Sequence, residues 1–285
     1  MVKNIVSIES AINFIEKNLN GKISLETVAE RNCYSKYYLH RIFADVTGIT
    51  IHNYILRRQL TEGAGLLTFS KKPIIEIAFM CGYESQQAFS TAFKSMYKMS
   101  PAEYRKRQEF YPLQLKILLH KKLNLNISKK DIRFAEAVDI PDWMKFVDLI
   151  VDGFPHLDKS DYLQKLKSAI GKRQALVLKQ KRAILGAVIF SSKRSSIEFM
   201  GVHPQYRSCG IQKLFLEKLM EEYLFGESVS ITTYREKDKA DTGYRNELIQ
   251  LGFVEGELLT EFGYPTQRFI FYRRGHTLNG EDRTA

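Results

Sequence analysis

Apolar residues in the first hundred positions recur at helical spacing, and they do so twice. In ISLETVAERNCYSKYYLHRIFADVTGITIHNYI, Leu25, Val28 and Ala29 share one helical face, and Leu39, Ile42 and Phe43 share another, the three- and four-residue steps of amphipathic helices. KPIIEIAFMCGYESQQAFSTAFKSMYKMSPAEYR repeats the frame, with Ala29 matched by Ala78, Tyr34 by Tyr83, Phe43 by Phe93 and Tyr54 by Tyr104. The offset is 49 residues up to the second helix and 50 beyond it, so the second copy carries one extra residue there. Each pair of helices is separated by a short break, Asn32-Cys33-Tyr34 or Cys81-Gly82-Tyr83. Asn and Gly are the residues expected to supply the left-handed backbone of such a turn. Ser35 and Ser85 then stand where an N-cap begins the next helix.

Between the copies, TIHNYILRRQLTEGAGLL reads as one connecting helix capped by Thr50, with Ile51, Tyr54, Ile55 and Leu60 inward. Gly63 and Gly65 weaken it by roughly 1 kcal/mol each, and the sequence offers no reason for either. Ser100-Pro101-Ala102-Glu103 opens the last helix as a capping box with proline in the first turn.

The pattern then changes. In EFYPLQLKILLHKKLNLNISKK, Leu113, Leu115, Ile117 and Leu119 alternate, which suits a strand or a segment packed on a domain; NLNISKK reads as a linker. His120, Lys121 and Lys122 are expected on a solvated surface. From Asp131, strand and helix patterns interleave. DIRFAEAV is a strand, and PDWMKFVDLIVDGF and SDYLQKLKSAI are helices. QALVLKQ, AILGAVIFS and SIEFMGV are strands joined by tight polar turns, IQKLFLEKLMEEYL is a helix and SVSITTYR a strand. YRNELIQLGF is a helix ending at Gly252, and strands return around TQRFIFY. The expected fold class is an all-α double helix-turn-helix domain over residues 1–108, a linker over 109–130, an α+β domain over 131–275 and a tail over 276–285.

Composition narrows the possibilities. The 285 residues suffice for two domains, and 44% hydrophobic with 26% charged residues are globular values. The longest apolar run, Ala183 to Phe190, is far short of the ~20 residues a membrane helix needs. No secretory signal opens the chain. Cys33, Cys81 and Cys209 are few and far apart, which argues against a disulfide framework or a metal site and for a reducing, cytoplasmic setting. Charge is unevenly spread: residues 1–130 hold 20 Lys+Arg against 10 Asp+Glu, and residues 131–285 hold 23 against 22. A basic front half suits nucleic acid or an anionic membrane face, and a solvated basic surface is the plain alternative.

Two short helices about a tight turn can place the second in a DNA major groove. The polar face of the first candidate reader holds Lys36, Tyr37, His40 and Arg41; that of the second holds Gln86, Gln87, Ser90, Thr91 and Lys94. Gln pairs with the edge of adenine and Arg with that of guanine, while Lys, Ser and Thr also hold phosphates. The competing reading is two αα-hairpins whose polar residues are merely wet, and two copies in one basic domain weigh against it. A connecting helix would hold the readers one duplex turn, about 34 Å, apart, so that a monomer spans two grooves.

The frame SLETVAERNCYSKYYLHRIF, GYESQQAFSTAFK and SPAEYRK resembles the AraC/XylS family of transcription regulators, most closely its MarA/SoxS/Rob group, over about residues 5–108. The resemblance implies a seven-helix monomer that binds double-stranded promoter DNA and contacts RNA polymerase. It places Tyr37, His40 and Arg41 at base-contacting positions of the first reader, and Gln86 and Gln87 at those of the second. Thr91 stands where such relatives often carry arginine.

In the back half, VHPQYRSCGIQKL ends a strand at Val202, turns at Pro204 and runs through Gly210 into a helix. Free N–H groups and the helix dipole make such a start an anion site; Arg207 would add charge. Residues 131–274 resemble a GNAT-type N-acetyltransferase, whose loop Arg/Gln-x-x-Gly-x-Gly/Ala follows a strand ending Val-x-Pro. Here these are Val202-His203-Pro204 and Arg207-Ser208-Cys209-Gly210-Ile211-Gln212. The resemblance implies acetyl-CoA or another acyl-CoA, its pyrophosphate on the amides of 207–212 and its pantetheine arm along Met200 and Val202. Gln212 replaces a small residue, either crowding the pyrophosphate or bonding to it. Leu248 stands where many relatives carry the tyrosine that protonates the leaving thiolate, with Tyr244 or Tyr234 as substitutes. Glu198 is the candidate base for an amine substrate, or an ordinary strand carboxylate. TYREKDKADTGYR either gates an acceptor pocket or is a solvated loop.

These readings lead to a regulator whose back half senses an acyl-CoA or transfers its acyl group to an amine. A working acetyltransferase whose front half controls its own expression is the alternative, and a non-binding interaction module is a third.

Overall fold

The computed structural model describes residues 2–120, 126–150, 159–181, 183–261 and 264–273. Among them, seven helices build the front: α1 (Val2–Lys17), α2 (Leu25–Arg31), α3 (Lys36–Thr47), α4 (Ile51–Phe69), α5 (Ile74–Met80), α6 (Gln86–Tyr97) and α7 (Pro101–Arg107). Side-chain oxygens of Ser24, Ser35, Thr50, Ser85 and Ser100 accept from the backbone N–H three residues on, so the caps fix where five of these helices begin. Ser100 and Glu103 form the reciprocal capping box. The extra residue of the second copy is Glu84, between Tyr83 and the cap Ser85.

In the two turns the left-handed residues are Gly82, at φ +79°, and Cys33, at φ +56°. Asn32 sits at φ −100°, so the expectation that Asn takes the left-handed place in the first copy is corrected. Both turns close with the same bond, Tyr34 N–H to Ala29 O and Tyr83 N–H to Ala78 O, each at 3.0 Å. That closure imposes the backbone on whichever residue stands before the tyrosine.

Two apolar cores flank α4. Ile8, Ile12, Val28, Leu39 and Phe43 pack with its first turns, and Ile77, Phe89, Phe93, Tyr97 and Tyr104 pack with its last. Gly63 has its reason here: a Cβ would stand 2.8 Å from Phe89 Cε2 and 3.2 Å from Cys81 Sγ, so α4 and α6 touch through it. Gly65 meets only Phe110, at an ordinary 3.7 Å, and nothing in the structure explains it. At its outer end α1 is tied to α4 by Glu16, which accepts from Arg58 at 2.8 Å and from the Tyr54 hydroxyl at 2.6 Å.

Residues 109–120 run back along α4. Leu113 enters the second core and Ile117 the first. Thr61 Oγ1 accepts from the N–H of Leu113 and Gln114, and Arg57 and Arg58 donate to the carbonyls of the same two residues. The alternating leucines are thus a packed strap. His120 is half-buried, its ring 4.6 Å from that of His203, which corrects its expected place on a solvated surface. Lys121 and Lys122 lie outside the described residues.

The back domain is one seven-stranded sheet in the order β1-β2-β3-β4-β5-β7-β6. Its strands are β1 (Ile132–Phe134), β2 (Ala175–Gln180), β3 (Ala183–Ser191), β4 (Ser196–Val202), β5 (Ser228–Tyr234), β6 (Val254–Glu261) and β7 (Tyr264–Tyr272). Alternate residues of β2 and β3 feed two cores, one under α8 (Ile140–Ile150) and α9 (Lys159–Gly171), the other under α10 (Ile211–Glu222) and α11 (Tyr244–Gln250). The sequence pattern does not announce β6, an edge strand exposed along most of its length. Neighbouring strands are antiparallel except β4 and β5, which run parallel and pair only at Ser196 and Ser230. Beyond that pair the two strands part. No helix among the described residues is long and apolar enough to cross a membrane.

Candidate nucleic-acid interface and ligand cleft

On α3, burying Leu39, Ile42 and Phe43 leaves Lys36, Tyr37, His40 and Arg41 exposed, Tyr37 at 79%. Burying Phe89, Phe93, Met96 and Tyr97 on α6 likewise turns Gln86, Gln87, Thr91 and Lys94 outward and leaves Ser90 half-buried. Each face is therefore fixed by the 3.6-residue period of its buried side. Lys36 lies 5.5 Å from the Tyr37 ring centroid and 3.5 Å from the Glu26 carboxylate; the Arg41 guanidinium stands 5.9 Å from the Tyr38 ring. Lys22, just before the first motif, pairs with Glu84 in the second turn at 2.8 Å. Every sequence-predicted residue of the two readers except Ser90 is open to solvent.

Where β4 and β5 part, a cleft of about 990 Å³ opens. The structure brings Glu198, Met200, Gln212 and Tyr244 together on its walls, with Leu248 and Tyr234 beside them. Past Ser196, the β4 edge facing the cleft carries no ladder to β5, so its N–H and C=O groups are open to an extended, amide-bearing partner. Two residues before Gln212 of the cleft wall, Gly210 adopts φ +72° and leads into α10, whose first turn has no side-chain cap. A Cβ on Gly210 would meet no heavy atom within 4 Å. Uncapped amides at the positive end of a twelve-residue helix suit an anion.

The side chains of the proposed acyl-CoA site are placed as follows. Val202 and Ile211 are buried in the core, so only their backbone can serve a ligand. Ser208 and Cys209 are exposed on the turn Pro204–Cys209. Partial cover of its sulfur pushes the Cys209 thiol above its ordinary value, against a hydrogen bond from Ser208, which favours the thiol over the thiolate. Gln212 neither crowds the turn nor reaches past it, because its amide donates to Glu247 at 2.6 Å. Arg207 turns toward the segment that follows β5. It donates to Thr242 Oγ1 at 3.2 Å and to the Tyr244 hydroxyl at 2.9 Å, with its guanidinium 4.7 Å from the Tyr244 ring.

For acid and base work the cleft is thinly equipped. Glu198 is ion-paired with Arg194, so the carboxylate already has a cationic partner on the same strand-turn surface. The Tyr244 hydroxyl donates to Ile150 O at 3.2 Å. Leu248 is buried among Phe253 and Phe269 and supplies no proton; Tyr234 is buried against Tyr264. His203 is neutral: burial, then the neighbouring His120 and Arg207, push its pKa down to about 3. Among the described residues no group of His, Cys, Asp or Glu could hold a metal ion.

The sequence gives no sign of the contacts that join the halves. Arg57 of α4, 1% exposed, donates to Ala240 O, and Lys98, the C-cap of α6, pairs with Asp238 at 2.7 Å. These partners lie 183 and 140 residues apart, beyond any local pattern. TYREKDKADTGYR is accordingly docked on the front half through Asp238 and Ala240, and it lines the cleft with Thr233, Tyr234 and Tyr244.

A helix-turn-helix domain family matches residues 28–107. The multiple antibiotic resistance protein MarA of Escherichia coli K12 is 41% identical over 100 residues, 35% of this chain and 79% of MarA. The transposon Tn10 protein TetD of E. coli is 40% identical over 101 residues, 35% of this chain and 73% of TetD. A solved GNAT-family acetyltransferase from Bacillus cereus is 13% identical, covers 50% of this chain and 96% of its own, and has a TM-score of 0.39.

Proposed function

We propose, from the premise that this chain belongs to the AraC/XylS family of DNA-binding regulators, that it binds double-stranded promoter DNA and that its second domain binds an acyl-CoA as a sensed ligand. The observation that carries the first part is the matched pair α3 and α6, each with a buried apolar face and an open face of groove-reading side chains. The 19 residues of α4 join them in one piece about 28 Å long. RNA polymerase is the expected protein partner of such a regulator.

For the second part, the support is the cleft. Uncapped amides at Gly210–Gln212 would hold a diphosphate, and the open edge of β4 at Met200 and Val202 would pair with the amides of a pantetheine arm. An acyl-CoA bound there supplies a thioester, an activated acyl group. The residues about it favour holding over transfer: Leu248 has no proton to give and Glu198 is neutralised by Arg194. An active N-acetyltransferase that governs its own expression is the second reading, favoured by the Tyr244 hydroxyl on the cleft wall. Calorimetry of the full chain with acetyl-CoA, beside thiol release with a panel of amines, tests these readings. Heat without thiol release is expected; sustained release would make the chain an enzyme, and no heat at millimolar acetyl-CoA would remove the ligand altogether.

A further inference from the structure

Each reader is held at both ends, by different partners. The front half fixes the starts. Lys36, the first residue of α3, pairs with Glu26 of α2 at 3.5 Å. Before α6, Gly82 lies so close to the loop ahead of α2 that a Cβ would stand 2.4 Å from Gly21 O. The back domain meets the other ends. Gly48, the C-cap of α3 at φ +73°, abuts the turn Pro204–Cys209, where a Cβ on it would stand 3.2 Å from Pro204 O and 2.8 Å from Arg207 Cδ. Lys98, the C-cap of α6, donates to Asp238 at 2.7 Å and to Ser95 O of the helix's last turn at 2.9 Å. One ammonium thus joins the carbonyl end of α6 to a carboxylate whose side chain is 6% exposed. Asp238 itself is set by the N–H of Ala240 and by the Tyr264 hydroxyl, at 2.8 and 2.7 Å. Between the readers, the buried Arg57 of α4 donates to Ala240 O. The turn follows β4, and Asp238 and Ala240 follow β5, its neighbour, so one sheet carries both contact points.

We propose that the back domain is a brace that sets the separation and tilt of the two readers, with Asp238 and Lys98 as its positioning pair, and so determines which spacing of base contacts this chain accepts. This rests on the DNA reading above and needs no ligand. The readers belong to two apolar cores that share no buried side chain, so the angle between those cores is the adjustable quantity. The direction of a helix is defined by two points along it, and twelve residues span about 18 Å. With the starts of α3 and α6 fixed in the front half, a rotation of one core about α4 moves the far ends most. Those are the ends that the back domain holds. Readers ordered before DNA arrives lose less entropy on binding. The same order penalises a duplex whose contacts fit another angle, which is discrimination by misfit.

The test uses the full chain. Selection from randomised duplexes gives the preferred site, and Arg41→Ala and Gln86→Ala mark the base pairs that each reader contacts. Affinity is then measured by anisotropy for that duplex and for versions with one base pair inserted or removed between the marked positions. Such a change moves the two contacts by about 3.4 Å and about a tenth of a turn. In the parent it is expected to cost about tenfold, within the range of a mismatched base pair. Asp238→Asn and Lys98→Met should reduce that penalty to about threefold or less, and Lys98→Arg, which keeps the cation, should restore it. Lower stability by itself weakens every spacing by one factor and leaves the penalty where it was. A penalty in Asp238→Asn and Lys98→Met equal to the parent's overturns the brace, as does a parent indifferent to spacing. A chain that selects no duplex at all overturns the DNA reading with it.

Discussion

The side chain of Gln205 grips the backbone of His120 from both sides: His120 N–H donates to its Oε1 at 2.6 Å, and its Nε2 donates to His120 O at 2.8 Å. One glutamine thus imitates a strand neighbour and fastens the end of the strap to the turn before α10. Gln205→Ala is expected to lose about 1–3 kcal/mol, with faster proteolysis near residue 120. Denaturation of the variant with an unchanged midpoint and unchanged cleavage would refute the clamp.

Base and phosphate contacts separate by their effect on sequence preference. Arg41→Ala and Gln86→Ala are expected to relax the preference at one base pair each, by about 1–3 kcal/mol, in selection from randomised duplexes. Lys94→Ala should weaken all duplexes alike and reduce the salt slope by about one. Equal losses on every sequence for all three variants would contradict these roles.

The two glycines of α4 should respond in opposite directions. Gly63→Ala gains helix propensity, yet its Cβ would stand 2.8 Å from the fully buried Phe89 ring, and overpacking of this kind costs about 1–3 kcal/mol. Gly65→Ala meets only an ordinary contact and should stabilise by about 0.4–1 kcal/mol. Urea midpoints of the two variants, measured together, decide the point.

Acid should loosen α1 from α4. Burial pushes the Glu16 carboxyl upward, and hydrogen bonds from Arg58 and Tyr54 with the charge of Arg58 outweigh it, so its pKa lies below the ordinary 4.5. The unfolded chain then binds the proton first, and stability present above pH 4.5 is lost as pH falls through the lowered folded value. Glu16→Gln should flatten that part of the stability–pH curve. It should also lower stability at neutral pH, because Arg58, with its side chain 8% exposed, loses the more buried of its two carboxylate partners and keeps the half-exposed Glu62. A curve as steep in the variant as in the parent would assign the acid sensitivity elsewhere.

By itself the sequence determined the features that depend on neighbours a few positions away. Ser35, Thr50, Ser85 and Ser100 start helices because each cap bond closes within three residues, and the open faces of α3 and α6 follow from the period of their buried sides. The strands β2 and β3 are legible as short apolar runs between polar turns, whereas β6, exposed along most of its length at the sheet's edge, has few buried positions to mark it. Tertiary structure alone decided the left-handed place of Cys33, the course of the strap over α4, the tie of Gln212 to Glu247 and the turning of Arg207 toward Thr242 and Tyr244. Long side chains and turn backbones take whichever partners folding brings near, and those partners lie on elements whose proximity no local period encodes.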